Sequence, residues 1–246
     1  MTAAVGTRVR TVLAAARPGP PLVARDLYRF YRAGSEETLA VRGVSLAVGA
    51  GEVVVVSGPS GSGKSTLLAL LAGLDEPDGG QVRVAGELMS HRPEGERTLL
   101  RRRLIGVLRQ TGNLVDHLDV RANLQLVQRI RGRGGPTGPS VAELLDQVSL
   151  GHRARAMPAE LSGGELARAG LAVALAAAPA VLIADEPTGE LDLANERRVL
   201  ELFRGAAEGG AAIVIASHSP EVAAAADRVL LMADGRWTEP HVQVAP

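Results

Sequence analysis

The chain has 246 residues, 46 % of them apolar and 22 % charged, and its 27 basic and 27 acidic side chains leave no formal net charge. That length carries one large domain, or one domain with an insert, and the charge balance excludes the global basic field that draws a protein to nucleic acid. Cysteine is absent, which excludes disulfide frameworks and thiolate metal sites, and no stretch approaches the roughly 20 apolar residues of a membrane helix.

In chain order, the Ala-, Arg- and Pro-rich residues 1–20 are expected to be a disordered tail, and 21–246 to fold. Leu22–Ala24 and Val44–Val48 read as edge strands. Glu52–Ser57 holds four consecutive valines, the mark of a strand buried on both faces. A helix over Lys64–Ala72 stops at Gly73, and Gln81–Ala85 and Leu104–Leu108 read as further strands. Arg101, Arg102 and Arg103 read as a solvated helix end. Val120–Arg131 and Val141–Val148 are predicted helices, separated by a Gly/Pro-rich loop over Gly132–Pro139. A helix over Gly163–Ala178 is stopped by Pro179. Val181–Ala184 and Ala212–Ser217 are apolar enough for buried strands, with helices over Glu196–Ala207 and Pro220–Ala226. Val229–Met232, the turn Asp234-Gly235 and Arg236–Thr238 make a hairpin. Strands alternating with helices give an α/β fold, a mostly parallel sheet with helices on both faces.

Gly58-Pro59-Ser60-Gly61-Ser62-Gly63-Lys64-Ser65 fits G-x-x-x-x-G-K-[ST], with a buried strand before it and a helix after it. Glycines allow positive φ, so successive backbone N–H groups can turn inward around an anion. The N-terminus of the next helix adds its dipole and free N–H groups. Lys64 is the only lysine among 27 basic residues, which marks a position where a compact ammonium is needed and a planar guanidinium fails. That position lies between the β- and γ-phosphates of a nucleotide. Ser65 is the expected Mg2+ ligand, and the Thr66 hydroxyl can reach the α-phosphate. Val181–Ala184 runs into Asp185 and Glu186 at the carboxyl end of a strand, where open α/β sheets place chemistry. Asp185 suits the Mg2+ shell, and Glu186 suits a general base acting on the water that attacks the γ-phosphate. The phosphate loop alone specifies a P-loop nucleotide-binding protein without choosing among kinases, GTPases and ATPases.

Leu161-Ser162-Gly163-Gly164-Glu165 opens a helix ahead of the acidic pair. This order resembles the ATP-binding subunits of ABC transporters, whose signature is LSGG followed by Gln or Glu, and the resemblance runs from about Leu22 to Arg236. It implies that 21–246 is an ABC ATPase domain, with antiparallel strands near its N-terminus and a helical subdomain over about 111–160. It implies Tyr31, rather than Tyr28, as the aromatic residue that stacks on adenine, and Gln110 as the glutamine that reaches toward Mg2+ and the attacking water. Leu191-Asp192 would end the D-loop, and His218 would be the switch histidine that senses the γ-phosphate. Ser162, Gly163, Gly164 and Glu165 would face the ATP held by a second copy, in a head-to-tail dimer around two Mg-ATP. A P-loop kinase leaves the signature and His218 unexplained.

Within the family, Gly58–Thr66, Gly73-Leu74-Asp75 with Pro77, and Ala184–Gly189 look most like the ATPases of lipoprotein release, macrolide export and the FtsE type. Such subunits pair with a separate permease of four transmembrane helices bearing a large extracytoplasmic domain. The resemblance therefore implies a peripheral place on the cytoplasmic face of the membrane, no nucleic-acid partner, and export or extraction of lipoprotein, peptide or drug-like cargo. A regulatory ATPase of a non-transporting membrane complex is the alternative. The chain departs from the subgroup pattern at Arg109, Leu166, Ala167, Val173, Glu190 and Ser219. None of these removes a catalytic group, but Glu190 puts a carboxylate near the expected dimer interface.

Overall fold

In the computed structural model, residues 19–33, 36–132 and 138–238 are described. The expected tail lies outside them except for Gly19 and Pro20, as do residues 133–137 of the expected loop. The chain opens with β1 (Leu22–Ala33), β2 (Glu36–Val48), β3 (Val53–Ser57), α1 (Lys64–Leu71), β4 (Gly79–Val84), β5 (Glu87–Leu88), α2 (Glu94–Leu104) and β6 (Ile105–Leu108). It continues through α3 (Val120–Arg131), α4 (Val141–Gln147), α5 (Gly163–Leu175), β7 (Val181–Asp185), α6 (Leu193–Glu208), β8 (Ala212–Ala216), α7 (Pro220–Ala224), β9 (Arg228–Ala233) and β10 (Arg236–Trp237).

The strands form two sheets, a four-stranded one in the order β2-β1-β4-β5 and a six-stranded one in the order β10-β9-β3-β8-β7-β6. All pairings in the first are antiparallel. In the second, β9, β3, β8, β7 and β6 are parallel, and only the β10 hairpin runs antiparallel. The valine run of β3 shows why this strand is central. Val54 and Val56 face one core, with Leu67, Leu70 and Leu71 of α1 and the inner side of the antiparallel sheet. Val53 and Val55 face another, with Leu171 of α5 and Val199 and Phe203 of α6. Strict alternation along a strand covered on both sides produces this split. A third apolar cluster joins Leu124 of α3, Leu144 and Leu145 of α4, and Ala169 and Ala172 of α5. Among the described residues, no helix is long and apolar enough to cross a membrane.

Several sequence expectations need correction. β1 and β2 are each longer than read, and β1 is not an edge strand, because β2 flanks it on one side and β4 on the other. Register shifts between Ala24 and Leu27, and again near Tyr28 and Phe30, interrupt the alternation that would have shown its length. α2 and β5 were not predicted as elements, although the arginine run does occupy the last turn of α2. α5 ends at Leu175, before Pro179, because Ala178 takes φ 47° and donates its N–H to Leu175 O. α6 begins at Leu193 because Asp192 caps it, accepting from the Asn195 N–H.

Phe203 is among the largest fully buried side chains, at 1 % exposure. Phe203→Ala should therefore cost about 3–5 kcal/mol of stability. Urea unfolding followed by circular dichroism checks this, and a midpoint unchanged from wild type would place Phe203 outside the stabilising core.

Candidate active site

β3 delivers the chain to Gly58 at the carboxyl edge of the parallel sheet. Gly58, Gly61 and Gly63 take φ 154°, 78° and 102°. The two ends of the loop are wedged between backbones. A Cβ on Gly58 would lie 2.0 Å from Met232 O of β9, and one on Gly63 would lie 2.3 Å from Ala40 O of β2. The Gly235 N–H donates to Ser62 O at 3.0 Å. Lys64 Nζ folds over the loop and donates to Gly58 O and Pro59 O at 2.8 and 2.9 Å. Gly63 offers no side chain to cap α1, and the first turn of that helix carries no acid. Ser62 Oγ is buried without a partner. Uncapped N–H groups, an ammonium and serine hydroxyls form a donor set that fits a polyphosphate. Ser65 is exposed in the first turn of α1, and Thr66 beside it is half-buried.

The strand order brings the other candidates to the same edge. Asp185 ends β7 and pairs with Ala216 of β8, which in turn pairs with Val56 of β3. The Glu186 N–H donates to Ala216 O at 2.9 Å, and Glu186 adopts φ 46°. A left-handed non-glycine residue of this kind is uncommon and concentrates at functional sites. His218 Nδ1 lies 3.0 Å from Glu186 Oε1, and the Ser217 hydroxyl donates to Oε2 at 3.4 Å. The Glu186 side chain is 21 % exposed and that of His218 75 %. On the far side of β7, Leu108 of β6 pairs with Ala184, so the chain leaves toward an exposed Gln110 at the same edge of the sheet. Asn113 shapes that exit, accepting from the Arg109 N–H at 2.8 Å and donating to Arg109 O at 2.6 Å.

The signature segment starts α5. Ser162 Oγ accepts from the Glu165 N–H at 3.3 Å, and the Glu165 carboxylate accepts from the Ser162 N–H at 2.9 Å, a reciprocal capping box. Glu165 also pairs with Arg153 at 3.2 Å. The Ser162 N–H, helped by the Ser162 hydroxyl and by Arg153 and Arg168, holds the Glu165 carboxyl below its ordinary range. Its carboxylate thus shapes the turn that presents the exposed Ser162 and Gly163. Gly164 is buried, and a Cβ there would meet Asn195 at 2.4 Å. Asn195 also accepts from Arg168 at 3.1 Å, and its N–H donates to Asp192 at 2.8 Å. The signature turn and the end of the segment after β7 are therefore tied together within one chain.

Tyr31 donates its hydroxyl to Asp75 at 2.9 Å, with the Arg29 guanidinium 4.8 Å from its ring centre. Arg29 binds both oxygens of Asp75 at 2.9 Å. Burial alone would raise the Asp75 carboxyl, but the Glu76 N–H, the Tyr31 hydroxyl and Arg29 outweigh it and hold it below the usual carboxylate range. Tyr28 lies against Gly43 and Gly79 instead. Arg29, Asn113, Ser217 and Asn195, with Asp75 in this role, are residues that motif reading alone did not single out. They act by holding other side chains, so no spacing rule marks them.

The family model described as ABC transporter matches residues 41–189. The lipoprotein-releasing system ATP-binding protein LolD of Maricaulis maris is 42 % identical over 216 residues, covering 87 % of this chain and 94 % of its own. The macrolide export ATP-binding/permease protein MacB of Chlorobium luteolum is 39 % identical over 216 residues, but this chain spans only 32 % of that protein's length. Among solved structures, the dimeric bacterial ABC transporter cassette MJ0796 superimposes with a TM-score of 0.81 at 32 % identity, covering 89 % of this chain and 97 % of that one. The two-sheet architecture, the loop around Lys64 and these likenesses agree: the chain belongs to the ABC transporter family, as an ATP-binding subunit of the lipoprotein-release and macrolide-export subgroup.

Proposed function

We propose that the chain hydrolyses ATP to ADP and phosphate as one half of a head-to-tail dimer and so drives a separate membrane permease. The observation that carries this reading is the Glu186–Ser217–His218 group opening on the same sheet edge as the Lys64 loop. Backbone N–H groups of Gly61 and of 63–66, with Lys64, bind the phosphates, and Tyr31 takes the adenine. Ser65, Asp185 and Gln110 hold Mg2+, which when bound offsets negative charge on the phosphate oxygens. Glu186 accepts the proton of the attacking water as the bond to the γ-phosphorus forms and the bridging bond to ADP breaks. An ionised Glu186 only accepts hydrogen bonds, so His218 Nδ1 carries the proton between them and Nε2 is left to face the phosphate. Ser162, Gly163 and Gly164 of the partner complete the site, and Glu165 holds their turn. The dimeric form of MJ0796, and a second structure of it with ADP and Pi, support this assembly.

The domain spans 21–246, with 111–160 as its helical subdomain. On this reading the partner is a permease of four transmembrane helices with a large extracytoplasmic domain, and the cargo is a lipoprotein, peptide or drug-like molecule exported or extracted at the membrane; lipoprotein release and macrolide export in the names of relatives support a cargo of this kind. MacB joins ATP-binding and permease functions in one name, and this chain matches a third of it. The subunit then sits peripherally on the cytoplasmic face. Affinity capture from detergent-solubilised native membranes with tagged Glu186→Gln and Mg-ATP tests the assignment. Mass spectrometry should identify a four-helix permease. Recovery of only soluble partners overturns the transport reading, and recovery of a non-transporting membrane regulator replaces it with the regulatory one.

A further inference from the structure

The Glu186–His218 pair rides on two short segments, residues 186–188 after β7 and 217–219 after β8. At one end the segments meet through Glu186, Ser217 and His218. At the other end they are joined by a side chain from a third element. Thr188 Oγ1 donates to Oε1 of Glu196 at 2.9 Å, and Ser219 Oγ lies 2.8 Å from the same oxygen, the shorter of its two carboxylate contacts, with Glu221 Oε2 at 3.1 Å. Glu196 belongs to the first turn of α6 and is 6 % exposed. The Ser219 N–H donates to Ser217 Oγ at 3.1 Å, and Ser217 reaches Glu186, so the circuit of hydrogen bonds closes on itself.

We propose that Glu196 is a positioning residue for ATP hydrolysis, a buried carboxylate that bolts the segment carrying Glu186 to the segment carrying His218. Two physical facts favour function over packing. Glu196 shares the buried face of α6 with Val199 and Phe203, where an apolar residue would satisfy the core. A carboxylate there carries a desolvation cost that its hydroxyl partners help offset. The partners it has chosen lie within two residues of Glu186 and one of His218. The N-terminus of α6 also favours the negative charge. Left-handed Glu186 needs its surroundings to fix it, and the Glu196 bridge supplies that at the far end of the segment. A misplacement of about 1 Å in such a pair can cost about 100-fold in rate.

This inference rests on reading the chain as an ATPase, so purified full-length wild type is assayed first. Wild type without Mg-ATP hydrolysis sinks that reading and this inference with it, whereas an active wild type leaves the variants to decide this inference alone. With active wild type, Glu196→Ala should lower kcat about 10- to 100-fold, while the Kd for Mg-ADP stays within about twofold because no phosphate contact changes. Glu196→Gln keeps an oxygen for both hydroxyls and should recover most of the loss. Should Glu196→Ala fail to fold, Thr188→Val and Ser219→Ala each remove one donor and should give smaller losses of the same kind. A folded Glu196→Ala with wild-type kcat overturns the proposal. So does a variant that loses nucleotide affinity while keeping kcat.

Discussion

Glu186→Gln should bind Mg-ATP as wild type does, hydrolyse it at least about 100-fold more slowly, and accumulate as an ATP-held dimer. The substitution removes the base while keeping the shape. The amide oxygen can still accept from His218 at the distance seen for Oε1 (3.0 Å), and the backbone bond to Ala216 O is untouched. What is lost is the capacity to take a proton from water. Single-turnover phosphate release gives the rate, and size-exclusion chromatography with and without Mg-ATP gives the oligomer. Turnover at the wild-type rate would remove Glu186 from the base role and direct attention to another carboxylate at this edge.

Lys64→Ala should weaken ATP binding about 10- to 100-fold, the loss of one or two charge-assisted hydrogen bonds, as read by isothermal titration. Lys64→Arg should fail nearly as badly. The ammonium sits against the carbonyls of Gly58 and Pro59 under 3 Å away, inside a loop whose ends are pinned by other backbones. A planar guanidinium needs more room and a forked acceptor. Normal affinity in Lys64→Ala would refute the phosphate cradle.

Much of this molecule can be read from its residues because the parallel sheet announces itself. Val53–Val56, Val181–Ala184 and Ala212–Ala216 are short, apolar and bounded by glycine, proline or acids, and their termini carry the motifs. The antiparallel sheet is less legible. β1 reads Leu-Val-Ala-Arg-Asp-Leu-Tyr-Arg-Phe-Tyr, and its bulges shift the facing of residues midway. The site divides in the same manner. Gly58–Thr66, Ser162–Gly164 and Asp185-Glu186 stand out by type and order. Glu196 does not, although an acid three and seven residues before Val199 and Phe203 on one helix face is a signal in itself. Periodicity treats it as an exception to the apolar stripe, and only the structure shows which hydroxyls it serves.

The fit of Gly58 and Gly63 against Met232 O and Ala40 O bears on how faults in this protein would surface. Those glycines are gripped from both sides by elements far away in sequence, so the cradle takes its form as the two sheets come together. Little ordering is then left for the nucleotide to impose. Damage at either glycine would reach the whole fold, and a screen for yield or protease resistance would find it first. Damage at Lys64 or Glu186 would pass that screen and appear only when nucleotide is added. Gly58 and Gly63 on one hand and Lys64 on the other thus put two kinds of selection on one short loop, one for assembly and one for chemistry, a few residues apart.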